Sequence, residues 1–376
     1  MENRVYEHCR KLFREARALP SNEWPSFVKE RCQGDAELER RLAGLLDALR
    51  DPDPLSPLNL DSGEQAPPKR IGNWELIGEI AKGGAGVVYR ARRVGAPEGG
   101  VVALKVVRSD KLTADAVSRF ANERQILSNL RHQNIARILD AGETAAHLPF
   151  YVMEYVDGVS ITEYCRRLKL TVKQRAKLFQ QVCVAVHFLH DYGILHRDIT
   201  PNNLLVLRDG FVKIVDFGIS KAFDRTTQTR EFGSGVNRMM TPAYASPEQL
   251  AQQKLNKRSD IYSMGVVLYE LLTGALPDDP EGSKEKKHAA PQTVQKYVKA
   301  SDRVLLPDAC LIGFPETAEQ LRRVLRGSLD QILMMALQRN PQKRYASAEA
   351  FRIDLGRYFQ GLTPFAKLPK LAFLRR

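Results

Sequence analysis

His196-Arg197-Asp198-Ile199-Thr200-Pro201-Asn202-Asn203, followed thirteen residues after Asn203 by Asp216-Phe217-Gly218, decides how this 376-residue chain is read. Two carboxylates and an amide stand in order on one segment, bounded by the strand-like runs Leu204–Leu207 and Val212–Val215. Such a loop can orient a hydroxyl with one carboxylate and offer hard oxygen ligands to a divalent cation carrying a triphosphate. Buried Asp and Asn also stitch loops together through the backbone, and three-residue strings recur by chance, so the weight rests on the set. It extends upstream to Val102-Ala103-Leu104-Lys105 and downstream to Ser246-Pro247-Glu248. Lys105 lies in the apolar run Val101–Val107, where a lysine is costly unless solvated or paired.

Further upstream, Ile80-Ala81-Lys82-Gly83-Gly84-Ala85-Gly86-Val87-Val88-Tyr89 sits between two strand patterns. Its small residues let backbone N–H groups approach phosphate oxygens, although such a stretch serves equally as a flexible hairpin tip. From Ile71 the chain reads as short strands: Trp74–Ile80, Val87–Ala91, Val101–Val107, Ile135–Ala141 and Phe150–Tyr155, with a helix over about 114–130. After Ser160 it turns helical, as in Val172–His190, Asp260–Leu272 and Leu329–Gln338, with an irregular insertion expected over 278–320. A β-rich segment followed by a longer helical one implies an α+β fold of two lobes with a cleft between them.

Residues 4–49 read as a separate helical module. Val5, Cys9, Leu12 and Phe13 share one face, and Leu38, Leu42, Leu45, Leu46 and Leu49 form a second stripe. This module is either a packing appendage or a docking element. Residues 51–69, rich in Pro, Asp and Ser, read as a linker. The organisation expected is a helical module at 1–50, a linker at 51–70, a main domain at 71–360 with lobes meeting near 156/157, and a basic tail at 361–376.

A composition of 43% hydrophobic and 27% charged residues is globular. The five cysteines have no zinc spacing and are odd in number, which favours reduced thiols and a cytoplasmic setting. The N-terminal stretch is too charged to read as a signal peptide, and no run approaches eighteen apolar residues, so neither a signal peptide nor a helical membrane span is expected. The net charge of +13 fits a solvated basic surface or an anionic partner. Nucleic acid is not the expected partner, because no aromatic–basic motif accompanies the charge. The ending Lys367 to Arg376 mixes basic and apolar residues and is read either as a peripheral contact with anionic lipid or as a docked terminus.

Taken together, these motifs resemble the eukaryotic-type (Hanks-type) protein kinases over about residues 71–360. Leu325-Arg326-Gly327-Ser328-Leu329-Asp330-Gln331-Ile332, the ending Ala346 through Leu355 and the N-terminal Leu12-Phe13-Arg14-Glu15-Ala16 are similar to the bacterial serine/threonine branch. The resemblance implies the bilobal kinase fold and Mg²⁺- or Mn²⁺-dependent transfer of the ATP γ-phosphoryl group to serine or threonine of protein substrates. It implies Asp198 as the group that orients the attacking hydroxyl, with Asn203 and Asp216 as metal ligands. It further implies that Lys105 bridges the phosphates and Glu123. Ala81, Gly83, Gly86, Val88 and Ala103 would surround the nucleotide, the backbone of Glu154 and Val156 would meet the adenine edge, and Met153 would limit its depth.

Phe217 is read as packing that sets where Asp216 faces, Asp260 as a cap for the catalytic loop, and Glu248 as the partner of Arg344. Arg197 precedes Asp198 and commonly binds a loop phosphate in the family. Ser234 is therefore the first phosphosite candidate, and the cluster Thr226, Thr227 and Thr229 the second; self-association for trans-autophosphorylation would follow. Three departures stand out: Ala81 replaces a usual glycine, Thr200 a usual lysine, and Met240 a usual glycine. Losing the lysine removes an electrostatic contact worth about 2.7–4 kcal/mol for a single oxyanion donor. The rival reading is a nucleotide-binding pseudokinase acting as a scaffold. Relatives of this shape often continue into a membrane span, so a cytosolic part of a membrane-anchored kinase is a further expectation.

Overall fold

The computed structural model describes residues 12, 15–16, 23–32, 35, 38–39, 42–43, 70–83, 86–96, 99–107, 130–144, 148–217, 241–277, 297–306 and 311–367. Two compact units divide the chain, Met1–Glu64 and Gln65–Arg376. In the first unit, helix α1 (Trp24–Arg31) follows helical residues at Leu12, Glu15 and Ala16 and precedes others at Leu38 and Leu42. Leu12, Ala16, Val28, Cys32, Leu38 and Leu42 are all buried, so the apolar stripes turn inward. The Trp24 indole donates to the Ala16 carbonyl at 2.8 Å, tying α1 to the preceding helix. Val5, Cys9, Phe13, Leu45, Leu46, Leu49 and the 51–69 segment lie outside the described residues.

The second unit opens with a six-stranded antiparallel sheet in the order β1-β2-β3-β4-β6-β5. Its strands are β1 (Arg70–Ile71), β2 (Trp74–Gly83), β3 (Gly86–Arg93), β4 (Val102–Val107), β5 (Ile138–Glu143) and β6 (Pro149–Glu154). Alternation along a strand sends successive side chains to opposite faces. Val102 and Leu104 join Ile71, Trp74, Ala91, Phe150 and Val152 in the core of one face. Ala103 and Lys105 therefore point to the other face, which is the cleft.

Register makes that second face specific. A row of cross-strand partners runs Ala81, Val88, Lys105, Tyr151 and Ala141, and a neighbouring row carries Ala103, Met153 and Ile138. The hairpin between β2 and β3 closes on Gly83 and Gly86. Gly86 has φ of +141°, and a Cβ there would lie 2.0 Å from the Val106 carbonyl oxygen, so only glycine fits. The expected strand at Ile135 begins instead at Ile138, because Ile135 is drawn into an isolated parallel bridge with Ile214.

The chain then passes to a small sheet of β7 (Val159–Ser160), β8 (Leu204–Val206) and β9 (Val212–Ile214). The crossing is tight: a Cβ on Gly158 would come within 2.7 Å of the Val206 carbonyl oxygen. Helices α2 (Ile161–Arg167) and α3 (Val172–Asp191) intervene, α3 starting at a capping box of Thr171 and Gln174. After the short α4 (Pro247–Leu250), helix α5 (Lys257–Thr273) is apolar and buried nearly all round, which makes it the axis of the helical lobe. It ends at Gly274, whose φ of +70° supplies the left-handed stop.

The insertion expected to be irregular over 278–320 is a partial correction. Its described parts hold α6 (Ala300–Arg303) and the start of α7 (Ala318–Leu325). Four residues of α6 carry little helical signal of their own; Asp330, on α8 (Ser328–Ala336), holds them by accepting from the Ser301 N–H at 3.0 Å and hydroxyl at 2.6 Å. The first residues of the expected tail are also docked. Asp354, on α9 (Ala348–Phe359), accepts from the N–H groups of Phe365 and Ala366 at 2.6 and 2.9 Å. Residues 368–376 lie outside the described residues.

Glu248 and Arg344 form a two-pronged buried pair at 2.6 and 2.8 Å, and Arg344 also donates to the carbonyls of Gln338, Arg258 and Arg339. Burial pushes the Glu248 carboxyl up, but its hydrogen bonds with Arg344 outweigh this and hold it below the usual range. Its stabilising contribution is therefore complete above the ordinary glutamate range and is lost as pH falls through the depressed value. Arg344→Ala leaves a buried carboxylate unpaired and is expected to lower stability by about 3–5 kcal/mol, measured by urea unfolding at neutral pH.

Candidate active site

The catalytic-loop segment is held in shape by its surroundings. Arg197 adopts φ of +64°, a left-handed conformation costing a non-glycine residue about 1–2 kcal/mol. Asp260, at the first turn of α5, offsets that cost by accepting from the N–H groups of His196 at 2.9 Å and Arg197 at 2.8 Å. His190 Nε2 donates to the same carboxylate at 2.7 Å. Burial drives the Asp260 carboxyl up, yet the His190 hydrogen bond and charge, with His196 and the Arg197 N–H, hold it below the aspartate range. From the other side, the Gln249 amide donates to the Arg197 carbonyl at 2.8 Å.

Asp198 is half-buried and lines a cleft with Thr200, Thr241 and Tyr244. The Asn203 amide N–H₂ donates to the Asp198 backbone carbonyl at 2.8 Å and to its carboxylate at 3.2 Å. This fixes the orientation of both side chains and leaves the Asn203 amide oxygen as an available donor atom for a ligand. Thr200 is buried, with 5% exposure, and its short neutral hydroxyl lacks the cationic reach of the lysine usual in the family at this position.

Asp216 sits across from Asn203, whose carbonyl accepts from the Val215 N–H at 3.0 Å. It too has a positive φ, +59°. Lys105 pairs with its Oδ2, and the Tyr151 hydroxyl donates to its Oδ1. Burial pushes the Asp216 carboxyl up, but the charge of Lys105 and the two hydrogen bonds outweigh it and hold the carboxyl below its usual range. Burial and Asp216 together push the Tyr151 phenol well above its ordinary value. Phe217 is 1% exposed and packed in the interior, anchoring the backbone next to Asp216.

At the hinge, Glu154 donates its N–H to the Arg137 carbonyl at 2.9 Å, while its carboxylate pairs with Lys213 at 2.8 Å. Val156 packs with Ala136 and Val215, with Leu205 and Leu207 against them. These residues form an apolar cluster beside the hinge, while Val88, Ala103 and Met153 stand on neighbouring strands of the sheet. The tertiary structure thus links Asp198, Asn203, Asp216 and Lys105 through successive contacts, while Ala81, Gly83 and Gly86 stand on the β2–β3 hairpin. Glu123, Ser234, Thr226, Thr227 and Thr229 lie outside the described residues.

Two contributors escaped the sequence reading. Tyr151 reads as one more apolar position of a strand, and only its pairing with Lys105 across β4 and β6 reveals its direction. Leu205 looks like core, whereas it is the half-buried member of β8, between the buried Leu204 and Val206. Its alternation was the available signal.

Residues 74–355 match the protein kinase domain family. The chain belongs to that family. Among its relatives, the serine/threonine-protein kinase PknB of Mycobacterium leprae is 32% identical over 309 residues, covering 80% of this chain and 45% of the relative. PknB of Mycobacterium tuberculosis is 34% identical over 307 residues, with the same coverage of 80% and 45%. The serine/threonine-protein kinase pkn3 of Myxococcus xanthus is 33% identical over 288 residues, covering 74% and 48%. The chain thus spans a little under half the length of these kinases. Among the described residues no helix is long and apolar enough to cross a membrane.

Asp260→Asn places an amide where three donors converge, and is expected to lower stability by about 1.5–3 kcal/mol. Because the folded Asp260 carboxyl is depressed, wild-type stability holds above the ordinary aspartate range and is lost as pH falls through the depressed value. The variant is expected to show a flatter acid limb, which thermal unfolding from neutral pH down to the acid transition would measure.

Proposed function

We propose that this kinase-family chain is an active serine/threonine protein kinase that transfers the γ-phosphoryl group of ATP to protein hydroxyls. The observation that carries the reading is the pairing of Asn203 with Asp198 beside Asp216 and Lys105, which gathers base, lysine and oxygen ligands in one cleft. Asp198 orients the incoming hydroxyl and accepts its proton. Lys105 turns its ammonium to the phosphates, while the Val156 N–H and the Glu154 carbonyl meet the adenine edge beside the apolar cluster that includes Leu205.

Asn203 and Asp216 would hold Mg²⁺, with Mn²⁺ as an alternative. The donor set suits such an ion: one carboxylate and one amide oxygen, with the remaining positions left to water and substrate phosphates. When bound, the ion would neutralise charge on the phosphate oxygens. Thr200 lines the cleft beside Asp198 but carries no charge, so charge stabilisation falls on Lys105 and the metal. Phosphorylation among Thr226, Thr227, Thr229 and Ser234 would regulate the cleft through Arg197, and trans-autophosphorylation between two copies would supply it. Free, buried thiols at Cys32, Cys165 and Cys183 are in keeping with a cytoplasmic setting. Burial pushes the Cys165 thiol up to about 12, which leaves it unreactive.

The test is γ-phosphoryl transfer from ATP with Mg²⁺, comparing wild type with Asp198→Asn. Loss of the general base is expected to lower the rate by roughly 10²–10⁴-fold while leaving nucleotide affinity nearly unchanged. Mass spectrometry is expected to find phosphate between residues 226 and 241 in the wild type alone. Nucleotide binding without transfer, on itself or on a generic acceptor, would favour the scaffold instead.

A further inference from the structure

Both carboxylate oxygens of Asp216 are engaged from a single sheet. Lys105 takes Oδ2 and the Tyr151 hydroxyl takes Oδ1. The two donors are direct cross-strand partners on β4 and β6, so they reach the carboxylate from adjacent places in one pleated row. Tyr151 is 0% exposed, and Asp216 is the acceptor that satisfies its O–H. Packing alone does not call for that hydroxyl, since phenylalanine fills nearly the same volume. A buried phenol O–H aimed at a carboxylate oxygen has one electrostatic consequence: it directs positive charge at one of the two atoms that a cation would draw on. An ion approaching Oδ1 meets that hydrogen, and the oxygen it binds has already given up one lone-pair site.

Resting on the reading that Asp216 holds the metal, we propose that Tyr151 is a positioning residue whose hydroxyl holds Asp216 in the metal-free state and competes with the divalent ion for Oδ1. It thereby raises the concentration of cation the site needs. Lys105 cannot exert the same control, because its partner is the other oxygen and its ammonium has the phosphates to turn to. Tyr151, buried in the sheet, has Asp216 as the acceptor of its hydroxyl.

Direct binding of Mn²⁺ alone to the full chain, followed by the loss of the free ion's electron paramagnetic resonance signal, tests this independently of catalysis. Wild type, Tyr151→Phe and Asp216→Asn are compared. Tyr151→Phe is expected to bind Mn²⁺ roughly tenfold more tightly, the scale for losing a hydrogen bond to a charged group. Asp216→Asn is expected to abolish that binding. In steady-state transfer, half-saturating Mg²⁺ is expected to fall by a similar factor in Tyr151→Phe while the KM for a peptide acceptor stays put. Unchanged or weaker Mn²⁺ binding in Tyr151→Phe, with loss in Asp216→Asn, overturns the competition and leaves Asp216 as the ligand. Wild-type binding in Asp216→Asn overturns the metal assignment itself. Tyr151→Met, which also lacks the hydroxyl, carries the same expectation and serves if the phenylalanine variant does not fold.

Discussion

One buried carboxylate, that of Asp260, organises the catalytic half of the molecule. It stands at the start of a helix enclosed on nearly every side and receives two successive backbone N–H groups together with a histidine ring. Two N–H groups pointing at one carboxylate force the loop to turn sharply, and Arg197 takes up the positive φ that results. Everything downstream inherits that turn. Asp198 emerges into the cleft, Asn203 closes back onto it, and Val215 bonds to the Asn203 carbonyl so that Asp216 arrives opposite. The strain of a left-handed arginine persists because a buried helix, not a flexible loop, holds the acceptor.

The other half of the site comes from the pleat. In β4 the core residues and the cleft residues alternate, so an apolar strand can carry a lysine without disturbing the packing of Val102 and Leu104. Antiparallel register then sets which residue of β6 lies beside it. A slip of one position would send Tyr151 to the core and Val152 to the cleft. The two halves meet at Asp216, where a carboxylate fixed by one lobe accepts from two donors fixed by the other. Burial disfavours its charge, and those two donors more than restore it.

Much of this was legible in the chain because the chemistry is local. Asp198, Asn203 and Asp216 lie within nineteen residues, and two strand-like runs join Asn203 to Asp216. The α3 helix declared itself by a long periodic stretch and α5 by a long apolar one, and β2 to β4 by short apolar ones. What stayed hidden depends on partners far away in sequence. Helix α6 is too short to hold itself and takes its hydrogen bonds from Asp330, twenty-nine residues on. Ile135 pairs with Ile214 rather than continuing β5. Glu248 and Arg344, ninety-six residues apart, could be matched only through the resemblance, since neither residue names its partner.

The amino-acid sequence by itself determined the family and the two-lobed plan, and it singled out Lys105, Asp198, Asn203 and Asp216 as candidates, because those follow from residue type, order and local period. The tertiary structure alone decided which donors occupy which oxygen of Asp216, that Thr200 is buried, and that Tyr151 faces the site. The physical reason is that such facts depend on strand register and on helix burial. Both are set by packing between segments that no local pattern connects.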